Sequence, residues 1–159
     1  MSNIIDKVKS KYSNVVIDFH DFRGDPTVTV KKNCILELFK FLRDDPDLDF
    51  NFLMDLTAVD YLNRKETRFE VVYHLYSLKH NHRLRVKTPV GEEDGAIDSI
   101  SSLWKTANWY EREVWDLYGI KFNGHPNLRR ILLYEEFKGH PLRKDYPINK
   151  RQPLIGPLN

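Results

Sequence analysis

Apolar positions in the first quarter of the chain change period twice. Ile4, Ile5, Val8 and Tyr12 fall near one face of a short helix, with Ser2 as its cap. Val15 to Phe19 then reads as a strand, Arg23-Gly24-Asp25-Pro26 as a turn, and the β-branched run Thr27 to Val30 as the returning strand. Asn33 is a suitable N-cap for a helix over Cys34 to Arg43, where Ile35, Leu38, Phe39 and Leu42 recur at helical spacing. Asp44-Asp45-Pro46-Asp47 stops it.

Phe50 to Val59 is a mixed apolar run that reads better as strand than as helix. Arg68 to Leu78 alternates more cleanly, with Phe69, Val71, Tyr73 and Leu75 on one face and Glu70, Val72, His74 and Tyr76 on the other. Lys79-His80-Asn81 turns it into His82 to Lys87, where Leu84 and Val86 alternate with basic residues. Such a hairpin belongs to an antiparallel sheet with one wet face. After an acidic loop over Gly91 to Gly95, two helices are predicted: Asp98 to Lys105, then Asn108 to Tyr118 with Gly119 as its stop. The pattern specifies an α+β fold, a compact mixed sheet, largely antiparallel and flanked by helices.

The last part of the chain has a different texture. Between Lys121 and Asn159 stand Pro126, Pro141, Pro147, Pro153 and Pro157, with Gly124, Gly139 and Gly156. Those breakers leave room for one short apolar piece, Ile131 to Tyr134, so residues 121–159 read as an extended Pro-rich C-terminal arm on a compact body of residues 1–120. Charge follows the same division. Residues 1–60 hold eight Lys/Arg against eleven Asp/Glu, residues 61–120 nine of each, and residues 121–159 eight against three. A basic arm implies an acidic partner surface or a phosphate backbone. With 41% hydrophobic and 13% aromatic residues the body can fill a core, but no apolar run reaches the roughly 18 residues that span a bilayer. The N-terminal residues resemble neither a secretory signal nor a transit peptide, which places the protein in, or facing, the compartment where it is made.

Candidate chemistry is sparse. Cys34 is the only cysteine, so the chain cannot supply the four thiolates an iron–sulfur cluster usually takes. Six histidines raise a metal site as an alternative, yet none stands in an H-E-x-x-H or comparable ligand spacing. His125 and His140 lie in two Gly-His-Pro triplets, which form an internal echo: each precedes a Leu and two adjacent basic residues, Arg129-Arg130 and Arg143-Lys144. Proline after each histidine suggests a rigid loop whose imidazole packs or hydrogen-bonds locally, and the cations would be presented to a partner. Glu111-Arg112-Glu113 with Asp116 contains paired carboxylates, but on a helix Arg112 and Asp116 are four apart and would pair with each other. No phosphate-cradling loop or serine-nucleophile elbow occurs. A basic-armed nucleic-acid-binding module stays open as a second class, without any recognisable motif for it.

The run Glu111-Arg112-Glu113-Val114-Trp115-Asp116-Leu117-Tyr118-Gly119-Ile120, followed by His125, Arg129, Ile131 and Leu132, resembles the signature of one family. That family is the thirty-kilodalton subunit of respiratory complex I, the proton-translocating NADH:quinone oxidoreductase. Leu56 to Tyr61, the strand Phe69 to Leu78, and Gly139-His140-Pro141-Leu142-Arg143-Lys144-Asp145-Tyr146-Pro147 are similar to the family as well. The resemblance implies a non-catalytic subunit of the hydrophilic arm, held peripherally at the cytoplasmic face of the bacterial inner membrane only through the complex. It implies that no cofactor is bound by this chain, with FMN and iron–sulfur clusters on partner subunits, and that no nucleic acid is involved. The partners would be the subunits of the quinone cavity and the terminal cluster. Glu111, Arg112, Glu113, Asp116, His125 and Arg129 would hold the body–arm junction, and Arg129, Arg130, His140, Arg143, Lys144, Asp145 and Tyr146 would contact partners. The electron donor and quinone type stay open, since related chains occur in complex-I-like photosynthetic enzymes and membrane-bound hydrogenases.

Overall fold

A computed structural model describes residues 2–153 of the chain, with the side chains of Ser2 and Asn3 outside the description. A side-chain cap by Ser2 and the glycine and proline at 156 and 157 therefore lie outside the description. Helix α1 (Ser2–Tyr12) leads into a hairpin of β1 (Val16–Phe22) and β2 (Asp25–Val30). Its loop is only Arg23-Gly24, both at positive φ (58° and 81°), the mirror-image turn that suits the twist of two-residue hairpins. The turn is thus shorter than the sequence suggests. Pro26 sits inside β2, just before that strand's pairing with the later strand His82–Val90 begins at Thr27, so its missing N–H costs no bond there.

Helix α2 (Ile35–Asp44) starts one residue later than its periodicity implies, after a single 3-10 turn over Lys32–Cys34. Asn33 lies within that turn and is not the cap; Cys34 holds the N-cap position and makes no side-chain capping bond. Three strands follow, β3 (Phe52–Asp60), β4 (Phe69–Ser77) and β5 (His82–Val90), then the short β6 (Ala96–Asp98), helix α3 (Ala107–Tyr118) and β7 (Lys121–Asn123). The main sheet has the order β1-β2-β5-β4-β3, antiparallel except between β2 and β5, and β6 pairs in parallel with β7. Strand formation therefore continues past residue 120 to Asn123.

One core joins these elements. Val8, Leu38, Phe39 and Leu42 of the first two helices pack with Val28, Leu56, Val71, Tyr73, Leu75 and Val86 of the sheet, and Ala107 and Val114 of α3 belong to the same cluster. Phe39 sits at its centre, edge-on to Tyr73 (4.7 Å) and Trp104 (5.7 Å). The opposite face of β4 is drier than simple alternation implies. Glu70 and Val72 are buried there, and Glu70 is ion-paired with Lys65 (2.9 Å) and Lys87 (3.4 Å), whose aliphatic stems can cover apolar surface. Among the described residues no helix is long and apolar enough to cross a membrane.

The helix expected over Asp98 to Lys105 does not form. Ile97 is instead paired with Phe122 in the β6–β7 ladder, and Ser99 and Ile100 are bonded to a carboxylate of α3, leaving only tight turns up to Thr106.

Candidate interaction site around the third helix

Helix α3 carries four charged side chains in its signature run, and each goes to a different place. Glu111 is fully buried; it accepts from the Ile100 N–H (2.7 Å) and is hydrogen-bonded to the Ser99 hydroxyl (2.6 Å), which in turn bonds to Ser101. Burial pushes its carboxyl up to about 7, and the two hydrogen bonds only partly oppose that. Arg112 turns the other way and donates to the carbonyls of Arg129 (3.1 Å) and Arg130 (2.7 Å). Glu113 is exposed. The Arg112–Asp116 pair expected from helical spacing is not made.

Asp116, also fully buried, faces the segment after Asn127. Its Oδ2 accepts three consecutive backbone N–H groups, those of Ile131, Leu132 and Leu133 (3.0, 2.9 and 3.0 Å), and its Oδ1 accepts the Arg130 guanidinium at 2.6 Å. Burial alone would raise this carboxyl. The Leu133 N–H, the guanidinium and the other two N–H groups outweigh it and hold the group below the ordinary carboxylate range.

The end of the helix explains where the rest of the segment lies. An α-helix leaves its last carbonyls without intrahelical donors. Here Trp115 O takes the Gly119 N–H, Asp116 O the His140 Nδ1–H (2.9 Å), Leu117 O the Leu142 N–H (3.1 Å) and Tyr118 O the Arg143 Nε–H (2.6 Å). Gly119 reverses the chain at φ +79°, and a Cβ there would sit 2.6 Å from His140 Cδ2 and 2.8 Å from an Arg143 nitrogen. The two Gly-His-Pro triplets play parallel parts. His125 donates from Nε2 to Asn108 O (3.0 Å) near the start of α3 while its Nδ1 accepts from the Asn127 N–H, which sets the neutral tautomer. His140 serves the helix's other end, and burial lowers its pKa, with Arg143 and Arg130 acting in the same direction. Both imidazoles are thus spent on local hydrogen bonds, as the following prolines suggest.

A second anchor is centred on Arg68 and Asp60, which carry no candidate role in the sequence pattern. The Arg68 side chain, nearly buried at the start of β4, grips Asp60 with two nitrogens (3.1 and 2.9 Å) and also reaches Glu92 (2.5 Å) and Asp145 (2.7 Å). Asp60 accepts further from the N–H groups of Leu62 (2.9 Å) and Lys144 (2.8 Å). One guanidinium therefore ties two strands, the acidic loop and the C-terminal segment together. Asp60 lies within a run that resembles the family, but only its burial and this contact show what it does.

The remaining candidates divide by exposure. Arg130, His140, Arg143 and Asp145 have intramolecular partners, and Tyr146 stacks on Phe137 (6.1 Å) while its hydroxyl accepts from Gln152. Arg129 and Lys144 are exposed, as are Leu132, Leu142, Ile148 and, on α3, Trp109. Among the described residues no three His, Cys, Asp or Glu side chains converge as metal ligands would.

Comparison with known proteins gives this geometry a context. A family model described as the respiratory-chain NADH dehydrogenase 30 kDa subunit matches residues 28–152. The C subunit of NADH-quinone oxidoreductase from Citrifermentans bemidjiense is 52% identical over 155 residues, covering 96% of this chain and 94% of that one. Its counterpart from Geobacter sulfurreducens is 47% identical at the same coverage. Among solved structures, the trypsin-resistant fragment (1–134) of Nqo5 superposes with a TM-score of 0.70 at 32% identity, covering 80% of this chain and 98% of the fragment. A chain of the archaeal membrane-bound sulfane sulfur reductase shares the fold, with a TM-score of 0.78 at 21% identity over 93% of this chain and 86% of its own.

Proposed function

The chain belongs to the respiratory-chain NADH dehydrogenase 30 kDa subunit family, and from that membership we propose that it is a cofactor-free structural and assembly subunit of a proton-translocating NADH:quinone oxidoreductase. The observation that carries the proposal is the family match itself, which runs from residue 28 to 152 and so takes in both anchors. The disposition of the signature supports a holding role over a catalytic one. Glu111, Arg112 and Asp116 are committed to backbone groups, a hydroxyl and one guanidinium, whereas a proton-transfer group needs a reacting partner within reach. A single thiol, Cys34, supports placing the iron–sulfur clusters on other subunits.

In this reading Arg112, Asp116 and His125 fix the C-terminal segment on α3 while Glu111 ties the helix to Ser99 and Ile100 before it, with Arg130, His140, Arg143 and Asp145 holding the segment from its own side. The exposed members, Glu113, Arg129, Lys144 and the apolar side chains Leu132, Leu142 and Ile148, are left for the subunits of the terminal cluster and quinone cavity. Membrane attachment, at the cytoplasmic face, comes through those partners. The test is a mild-detergent pull-down from native membranes with this chain tagged, read by mass spectrometry and visible absorbance. Recovery of flavin- and cluster-bearing subunits with NADH dehydrogenase activity is expected. A chain that came down alone or with nucleic acid, or membranes that lacked it yet kept NADH:quinone activity and an intact peripheral arm, would overturn the proposal.

A further inference from the structure

Strand β1 is an open edge of the five-stranded sheet. It pairs with β2 on one side, and no described strand pairs with it on the other. The opposite edge, β3, is not comparably bare, because α3 lies against it and the Tyr110 hydroxyl donates to Met54 O. On β1 every residue from Ile17 to Phe22 is exposed, and three of them are large and apolar: Ile17 at 52%, Phe19 at 40% and Phe22 at 64%. Its one irregularity, a bulge between Val16 and Asp18, is confined to the first end; Asp18 to Phe22 keep an unbroken register with β2.

An edge of this kind presents a row of unpaired N–H and C=O groups to any extended chain that approaches. Edges are commonly blunted with lysine, proline or covering loops, and Val16–Phe22 has neither lysine nor proline. It has two carboxylates instead, Asp18 and Asp21, neither ion-paired among the described residues; of the hairpin's carboxylates only Asp25 has a cation within 4.0 Å, Arg85, while Lys9 Nζ lies 3.0 Å over the Phe19 ring. Those carboxylates decide which strand fits. A second copy of β1 would bring its own two carboxylates to an edge that already has two, and like charges across a strand pair are destabilising. A strand carrying Lys or Arg would place opposite charges there and cover Phe19 and Phe22 with its apolar positions.

We propose that β1 is the docking edge for an extended, basic strand of a neighbouring subunit, which adds as a sixth strand along Asp18 to Phe22. At about 3.4 Å per residue the shared ladder is roughly 17 Å long, and main-chain hydrogen bonds give the attachment while Asp18 and Asp21 select the partner's cations. This inference rests on the reading that the chain works inside a multi-subunit complex, and it concerns a surface apart from the C-terminal segment.

Hydrogen–deuterium exchange read by mass spectrometry tests it, on the full chain alone and within the complex purified from native membranes. Peptides covering β1 should exchange at least about tenfold more slowly in the complex, while those of the central strand β4 are unchanged. The double variant Asp18→Lys with Asp21→Lys should lose that protection and co-purify less of the complex. Equal exchange of β1 in both states would overturn the inference and leave the family-based role standing. Protection of β1 in the chain alone that grows with concentration would assign the edge to a second copy, and overturn it too. A chain that purified from the membranes with no other subunit would remove the underlying role, and the edge proposal with it.

Discussion

Replacing Asp116 with asparagine keeps the size of the side chain and removes its charge, at a site where four donors converge. The wild-type carboxylate takes three backbone N–H groups on Oδ2 and the Arg130 guanidinium on Oδ1. Asparagine offers one oxygen, so its amide N–H must face either the guanidinium or the three N–H groups. Hydrogen bonds to a charged group contribute about 1.5–3 kcal/mol each, and breaking a buried ion pair costs about 3–5 kcal/mol. These figures describe overlapping parts of one carboxylate and cannot be added, so about 3–4 kcal/mol is the expected loss. Arg130, with its side chain 12% exposed, has little water to fall back on. For a chain of this length each kcal/mol lowers Tm by about 2–4 °C, which makes a fall on the order of 10 °C. Urea unfolding gives the magnitude and hydrogen exchange gives the place: Ile131 to Leu133 should lose protection well before β4. The pH dependence supplies a further check. The folded carboxyl is held below its unfolded range, so its stabilisation is present above the unfolded pKa and is lost as pH falls through the folded one. Asp116→Asn should erase that acid-side loss. A variant within about 0.5 kcal/mol of the parent, or parent amides at 131–133 that exchange freely at neutral pH, would refute the reasoning.

Other substitutions probe the remaining contacts. Glu111 has the opposite sign: its carboxyl rises from 4.5 to about 7 on folding, so its contribution is whole below the unfolded pKa and is lost as pH climbs to about 7. That amounts to about 3 kcal/mol, and urea midpoints across this range should show Glu111→Gln flattening the slope, since the Ser99–Ser101 hydroxyl pair can reverse its donor direction to suit an amide. Gly119→Ala combines a left-handed φ with displacement of His140 and Arg143, and should cost about 2 kcal/mol or more in chemical denaturation. Arg68→Met leaves the buried Asp60 without its cation; a loss of about 3–5 kcal/mol is expected, with exchange rising around Asp145. Lys144→Glu changes an exposed side chain and should stay within about 0.5 kcal/mol, whereas Arg143→Glu removes the cap on Tyr118 O and should loosen residues 139–146 in limited proteolysis.

The elements most legible in the sequence are those whose own periodicity is backed by burial on one face. Leu38, Phe39 and Leu42 of α2, and Phe69, Val71, Tyr73 and Leu75 of β4, enter the core as their spacing implies. Asp98 to Lys105 misleads for a reason local pattern cannot reveal. Ile97 completes a parallel pair with Phe122, distant in sequence, and the Ile100 N–H is claimed by Glu111. Those bonds outweigh a helix propensity of a few tenths of a kcal/mol per residue. Asn33 illustrates the same limit on a smaller scale: a good cap by composition, it falls inside a 3-10 turn that moves the helix start one residue on from where its periodicity puts it.

The signature run shows why spacing identifies this site without describing it. Helical geometry puts Arg112 beside Asp116, but an exposed pair of that kind contributes only about 0.3–0.5 kcal/mol. Asp116 instead gains four donors, and Arg112 gains two carbonyls of the segment that Asp116 holds. Each choice supports the other. Arg112 fixes the carbonyls of Arg129 and Arg130 on one side of the chain, and Asp116 takes the N–H groups of Ile131 to Leu133 immediately after them. Opposite charges four residues apart thus bind the opposite polarities of one backbone stretch. The bare carbonyls at the end of α3 complete the attachment through His140, Leu142 and Arg143. A chain rich in proline and glycine has few hydrogen bonds of its own to offer, so it takes its order from the helix end that lacks donors. The two features read separately from the sequence, a charged helical triplet and a breaker-rich tail, are halves of one hydrogen-bonding arrangement, and neither half specifies it alone.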